Sequence, residues 1–171
     1  MAISAQALAE LKQRWLKTQI DVEFPTSESQ AGYALYQQRA SNFTLQPFDS
    51  ISFSDTTSRF ADSDIFLVDF HRLTIFFAQL QAQVWQTPEQ QALTIEFFTQ
   101  IIYSEPCNLY LGFLAGEPVA CAIVTQSDDA ILISDMVAHH NDGALAQTFV
   151  QDLVAKYRWD TSKVFIEQMP S

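Results

Sequence analysis

The sequence predicts an α+β domain in which a mixed, largely antiparallel sheet is flanked by helices. Three observations carry this prediction. Residues 109–114, 119–125 and 130–137 are apolar, strand-like runs separated by the turn signals Ala115-Gly116-Glu117-Pro118 and Ser127-Asp128-Asp129. A polar loop, His139-His140-Asn141-Asp142-Gly143, then runs into an amphipathic stretch of helical period that reaches Tyr157. Upstream of all three strands, capping patterns mark helices.

The elements follow in chain order. Ser4 caps a first helix in which Leu8, Leu11 and Trp15 share one face, while Lys12, Arg14 and Lys17 are expected to stay in water. Residues 20–24 read as a short strand closed by Pro25. Ser27-Glu28-Ser29-Gln30 has the spacing of a capping box, opening a helix to about Arg39. Residues 42–53 read as one or two strands broken at Pro47, and 54–63 as a polar loop. Over 65–86, Phe66, Phe70, Leu73, Phe77, Leu80 and Val84 fit a helical stripe, and the stretch is assigned as helix, although 66–70 alone also fits a strand. Thr87-Pro88-Glu89 joins a cap, a first-turn Pro and an acid. The helix it opens carries Leu93, Phe97 and Ile101 and stops near Pro106. Residues 164–167 form the last strand. No repeat, low-complexity tract or linker interrupts the chain, so residues 1–171 read as one domain: a helical and strand portion over 1–62, and a core over 63–171.

Composition narrows the function. A chain of 171 residues, 48% hydrophobic and 13% aromatic, can bury a proper core. A formal charge of −11 disfavours nucleic acid and anionic membrane as partners. No Lys or Arg occurs between Arg72 and Lys156, so a phosphate bound by that half must rely on backbone N–H groups, amides or His, whereas a small cationic amine would be attracted. Cys107 and Cys121 are too few and too far apart for a zinc ribbon or redox pair and read as reduced, partly buried thiols. The N-terminus lacks a signal-peptide pattern, and the most apolar stretch, 65–77, is interrupted by Asp69, His71 and Arg72. A soluble, cytoplasmic protein is expected. His139-His140 with Asp142 reads as loop surface rather than a metal site, and His71 as structural. Four glycines exclude a glycine-rich phosphate loop.

The order of two helices, a hairpin, a third strand, a loop and a helix resembles the GNAT (GCN5-related) acyl-CoA N-acyltransferase fold over roughly residues 63–168. The family writes its cofactor motif R/Q-x-x-G-x-G/A across the loop and helix start. With Leu145, Phe149, Val150 and Leu153 setting the register, Asn141 takes the Arg/Gln position, Ala144 the Gly and Ala146 the final Gly/Ala. The last position matches, the first substitutes an amide, and Ala144 departs by one methyl.

The resemblance implies acetyl-CoA or another acyl-CoA as cofactor, with no metal. Its pyrophosphate would meet Asn141, Asp142, Gly143, Ala144, Leu145 and Ala146, where unpaired amides and the helix dipole favour an anion. Its pantetheine arm would run beside Met136 and Val137, in a gap between that strand and 164–167. Asp142 would repel phosphate unless it turns outward. The alternative reading is local: Asn141 or Asp142 caps the helix and Gly143 eases the turn.

No catalytic residue is selected. Asp135 and Glu105 are candidate bases, and Tyr103 and Tyr110 conceivable acids. The family's usual Tyr acid, and two further strands, fall after the equivalent of 164–167, while the sequence runs to Ser171. Strands within 20–24 and 42–53, or those of a second copy in a homodimer, are expected to cover that sheet edge. Two functions follow: an N-acyltransferase acting on an amine, or a non-catalytic GNAT-like module that binds a small molecule or protein through the same cleft.

Overall fold

A computed structural model describes residues 4–53 and 57–170. Its elements, in order, are α1 (Ala5–Thr18), α2 (Ser27–Ala40), β1 (Thr44–Pro47), β2 (Ile65–Leu67), α3 (His71–Ala82), α4 (Pro88–Phe98), β3 (Cys107–Leu114), β4 (Glu117–Gln126), β5 (Ile131–Ala138), α5 (Gly143–Tyr157) and β6 (Val164–Gln168). The strands make one six-stranded sheet in the order β1-β6-β5-β4-β3-β2. Only β5 and β6 run parallel. The α+β class and the mixed, largely antiparallel sheet are therefore as predicted.

Local chemistry accounts for the middle of the sheet. Ala115 (φ 51°) and Gly116 (φ 79°) join β3 to β4 through two left-handed residues, the backbone that a tight hairpin of twisted strands requires. α5 covers one face, where Leu145, Phe149, Val150 and Leu153 pack with Ala120, Ala122, Ile133 and Ile166. On the other face, α3 and α4 bring Phe77, Phe97 and Phe98 against Leu109, Leu111 and Ile123. α1 closes that side near β5 and β6, with Leu8 and Ala9 against Leu132 and Phe165. Strand alternation explains the split: Leu132 and Ile133 are neighbours on opposite faces.

Four expectations change. Residues 20–24 form turns and bends, with Phe24 85% exposed. α2 is capped by Thr26, whose hydroxyl accepts from the Ser29 amide, one residue before the expected capping box. Within residues 42–53 the strand β1 breaks off at Pro47 as expected, and a 3₁₀ turn follows at Phe48–Ser50. The proposed 65–86 helix divides: β2 pairs with Gly112, Leu111 and Tyr110, and α3 starts only at His71. Edge pairing and the contact of the Phe66 and Phe113 rings, 5.1 Å between centroids, outweigh the helical stripe. α4, expected to continue towards Pro106, ends at Phe98. Of the polar loop 54–63, residues 54–56 lie outside the described residues, and Asp62–Asp64 form a 3₁₀ turn. β1 pairs antiparallel with β6, from Thr44 opposite Gln168 to Pro47 opposite Phe165, so an N-terminal strand covers the edge as expected. Among the described residues no helix is long and apolar enough to cross a membrane.

Candidate functional site

The site begins with one extra residue. Opposite β4, Cys121 faces Val137 and Ile123 faces Ser134, so Asp135 and Met136 together oppose the single Ala122. This is a β-bulge, and Asp135 adopts φ 55°, a left-handed conformation that Asp tolerates better than most side chains. The bulge bends β5 away from β6. Their parallel pairing runs from Ile131 opposite Val164 to Ser134 opposite Glu167 and stops there. Past that point the strands diverge, and a cavity of about 220 Å³ opens between them. Met136, Gly143, Ala146 and Gln147 line one side; Arg39, Phe43 and Glu167 line another.

Three helices hold the bulge. Lys12 of α1, fully buried, donates from Nζ to Asp135 Oδ2 at 2.8 Å and to Glu167 Oε1. Ser134 Oγ donates to the same Asp135 oxygen at 2.6 Å. Gln81 of α3 donates from Nε2 to the Asp135 carbonyl at 2.6 Å, satisfying a backbone group that the bulge removes from the ladder. α2 supplies Arg39 and Tyr36, whose hydroxyl accepts from Gln13 Nε2 at 3.2 Å.

Burial alone would lower the Lys12 pKa, but Asp135, Tyr36 and Glu167 outweigh it and hold the ammonium above its ordinary range. Burial raises Glu167, against the opposing pull of Lys12. Burial also raises Tyr36, reinforced by Asp135, and lowers Arg39 against the attraction of Asp135. The expectation that Lys12 stays in water is thus overturned. It follows from reading α1 as a surface helix, when its Lys12 position meets two carboxylates from the far end of the chain.

The residues expected at a cofactor site separate into groups. Met136, Gly143 and Ala146 share the cleft. A Cβ added at Gly143 would meet nothing within 4 Å, so the backbone there stands open to a ligand. Ala144 is exposed beside it. Asp142 turns onto the helix, where its Oδ1 accepts from the Leu145 amide at 3.1 Å, and its carbonyl accepts from Ala146. The Leu145 side chain and Val137 are buried, Leu145 beneath α5 and Val137 on the α3 face. Asn141 donates from its amide to the Gln83 carbonyl at 3.2 Å, and the His140 amide donates to Gln83 Oε1 at 3.0 Å, so the loop is pinned to the end of α3.

Among the candidate acids and bases, Asp135 and Glu167 stand at the seam, whereas Glu105 is exposed elsewhere. Tyr103 bonds through its hydroxyl to Thr74, and Tyr110 packs on Tyr157 in the α5-side core. Sequence reading missed Lys12, Arg39 and Glu167. The one available signal was the absence of Lys and Arg from 73 to 155, which means that any Lys or Arg at this cleft must come from outside that stretch. Cys107 and Cys121 are buried free thiols, raised by burial to about 11 and about 12.

No protein-family model matches the sequence, and no curated protein matches it. Solved structures resemble the fold. A ribosomal-protein-alanine N-acetyltransferase from Brucella melitensis biovar Abortus 2308 aligns at 19% identity and a TM-score of 0.43, over 60% of this chain and 77% of its own. A GCN5-related N-acetyltransferase from Kribbella flavida aligns at 12% and 0.42, over 81% and 52%. A tandem GNAT protein from the clavulanic acid biosynthesis pathway aligns at 12% and 0.40, over 86% and 52%. The chain thus spans about half the length of the latter two.

Proposed function

We propose that the protein binds an acyl-CoA in the cleft between β5 and β6 and acts as an N-acyltransferase on an amine. The observation that supports this reading is the bulge at Asp135–Met136, which parts two otherwise paired strands directly beside the open start of α5. The residues present suit such a group in part. The cleft, at about 220 Å³, suits the thioester end of the molecule rather than the whole. Gly143 and Ala144 begin a helix, whose first amides have no intrahelical acceptor and favour an anion. Arg39 supplies a cation to the same cavity. Asp142 works against phosphate by taking the Leu145 amide.

When bound, an acyl-CoA supplies an acyl group activated as a thioester. The chain's own contribution is to position and to manage a proton. Glu167 is the carboxylate best placed to accept a proton from an amine, because it lines the cleft where β5 and β6 part and burial raises its pKa above the ordinary carboxylate value. Lys12 keeps it oriented.

Thermal shift with acetyl-CoA tests binding. Saturation at a hundredfold over Kd stabilises by about 2.7 kcal/mol, which for a chain of this size raises Tm by roughly 5–10 °C. Gly143→Glu should abolish the shift. The absence of any shift at millimolar acetyl-CoA removes the proposal. A shift with no thiol release over a panel of amines favours the second reading, a binding module on the same fold. That reading draws support from the ion pairs that hold both Asp135 and Glu167.

A further inference from the structure

A second and larger hollow, of about 820 Å³, lies between α1, α2 and β1. It meets the cleft at two shared residues, Phe43 and Glu167. The hollow is polar in a particular way. Gln13, Gln37 and Thr44 offer neutral hydrogen-bonding groups, and the charges on its walls are Glu10, Arg14 and Glu167. Among the described residues, the ion pairs within 4 Å are the two that Lys12 makes, so Glu10 and Arg14 face the hollow without a salt-bridge partner. Lys12 bonds Oε1 of Glu167, and the same residue lines the hollow.

We propose that this hollow binds a primary amine that also carries a carboxylate, its ammonium at Glu167 and its carboxylate at Arg14. This rests on the acyltransferase reading and deepens it by naming the acceptor class. The net charge of −11 alone would attract a polycation. Arg14 is the one cation among these wall charges and gives a ligand carboxylate a charge-assisted bond; Glu10, one helical turn away, would receive a second ammonium instead, and the binding of putrescine distinguishes the two. Glu167 serves both cavities, so an amine held there stands at the junction with the cleft.

The test uses ligand-observed NMR titrations of the full chain with glycine, β-alanine, 4-aminobutyrate and 6-aminohexanoate, which step the distance between the two charges. Putrescine and butyrate serve as controls. One ω-amino acid should bind best, with putrescine and butyrate each about tenfold weaker. Arg14→Ala, a change on an exposed helix face, should weaken that amino acid about tenfold and leave putrescine unchanged or tighter. It should leave acetyl-CoA binding unaltered, since Arg14 lines only the hollow. Equal or tighter binding of putrescine by the wild type overturns the proposal. So does an Arg14→Ala variant with undiminished amino-acid affinity, or acetyl-CoA binding with no amine binding at all. Amino-acid binding that depends on Arg14 but comes without acetyl-CoA binding keeps the hollow and removes the acyl-CoA reading instead.

Discussion

The two ends of the seam between β5 and β6 are built from opposite materials. At the closed end, Ile131 to Ser134 pair with Val164 to Glu167, and Leu132, Ile133, Val164 and Ile166 are buried on the two faces. At the open end, one extra residue breaks the ladder, and the space is held by a buried lysine between two carboxylates. The apolar side chains of the closed end are stabilised by burial and carry no titrating group. The open end depends on the matching of charges in a place with little water. A chain seldom puts an ion cluster where apolar packing would serve, and such clusters are weak contributors to stability. Their position beside two cavities is the physical reason to look for function there.

Breaking the open end should have the largest effect. Lys12→Met leaves Asp135 and Glu167 buried without their cation, a change expected to cost about 3–5 kcal/mol at neutral pH. The sign of its pH dependence is specific. In the wild type, Lys12 has a folded pKa above its unfolded value, so its stabilisation is complete below about pH 10.5 and is lost as pH rises beyond it. In the variant, the two carboxylates repel and at least one is raised. Its penalty is present at neutral pH and is relieved as pH falls through that raised value. Chemical denaturation at pH 7 and pH 5 should therefore show the variant's deficit narrowing on acidification, and Lys12→Met with Glu167→Gln should recover part of it. A deficit constant across that range would mean that Lys12 acts through packing alone.

At the closed end, Ile133→Ala removes a fully buried side chain beneath α5 and should cost about 2–5 kcal/mol through lost burial and a residual cavity. Its deficit should be the same at pH 7 and pH 5. A pH-dependent deficit would show that the ends are coupled, and the division drawn here would fail.

Asp142→Ala sharpens the comparison at the roof of the cleft. Loss of this cap should cost about 1 kcal/mol. The same change frees the Leu145 amide and removes a negative charge from the start of α5, so acetyl-CoA should bind more tightly to the less stable protein. Weaker acetyl-CoA binding by this variant would mean that the carboxylate orders the loop for the ligand rather than competing with it.

What was legible in the sequence follows the range of the forces involved. The hairpins and α5 could be read because their signals are local: Ala115-Gly116 is a turn by backbone chemistry, and Asp142 caps the helix three residues before the amide it accepts from. β2 was misread because Phe66 and Phe70 satisfy a helical stripe, while the partner that decides the matter, Leu111, is far along the chain. Lys12 was the most hidden of all. Its partners lie 123 and 155 residues away, and on a helix a lysine beside Arg14 and Lys17 looks like one of a wet row. Half of the candidate site was therefore readable, the half made of β5 and α5. The half contributed by α1 and α2 appears only when β6 returns to lie beside β5.

The smallest expected effect discriminates most finely. Gly143 begins α5 without a left-handed φ, and an added Cβ there meets open space. Gly143→Ala should thus stabilise the free protein by about 0.4–1 kcal/mol, through fewer conformations in the unfolded chain. A ligand that rests on bare backbone at that position would be pushed away by the same methyl. The expected result is a slightly higher Tm without ligand and a smaller upward shift on adding acetyl-CoA. If the Tm rises and the shift is undiminished, the ligand does not approach the helix at Gly143, and the anion-binding part of the open end must be sought at Arg39. Titrating acetyl-CoA into Arg39→Ala then distinguishes a cleft read by a side-chain cation from one read by helix amides.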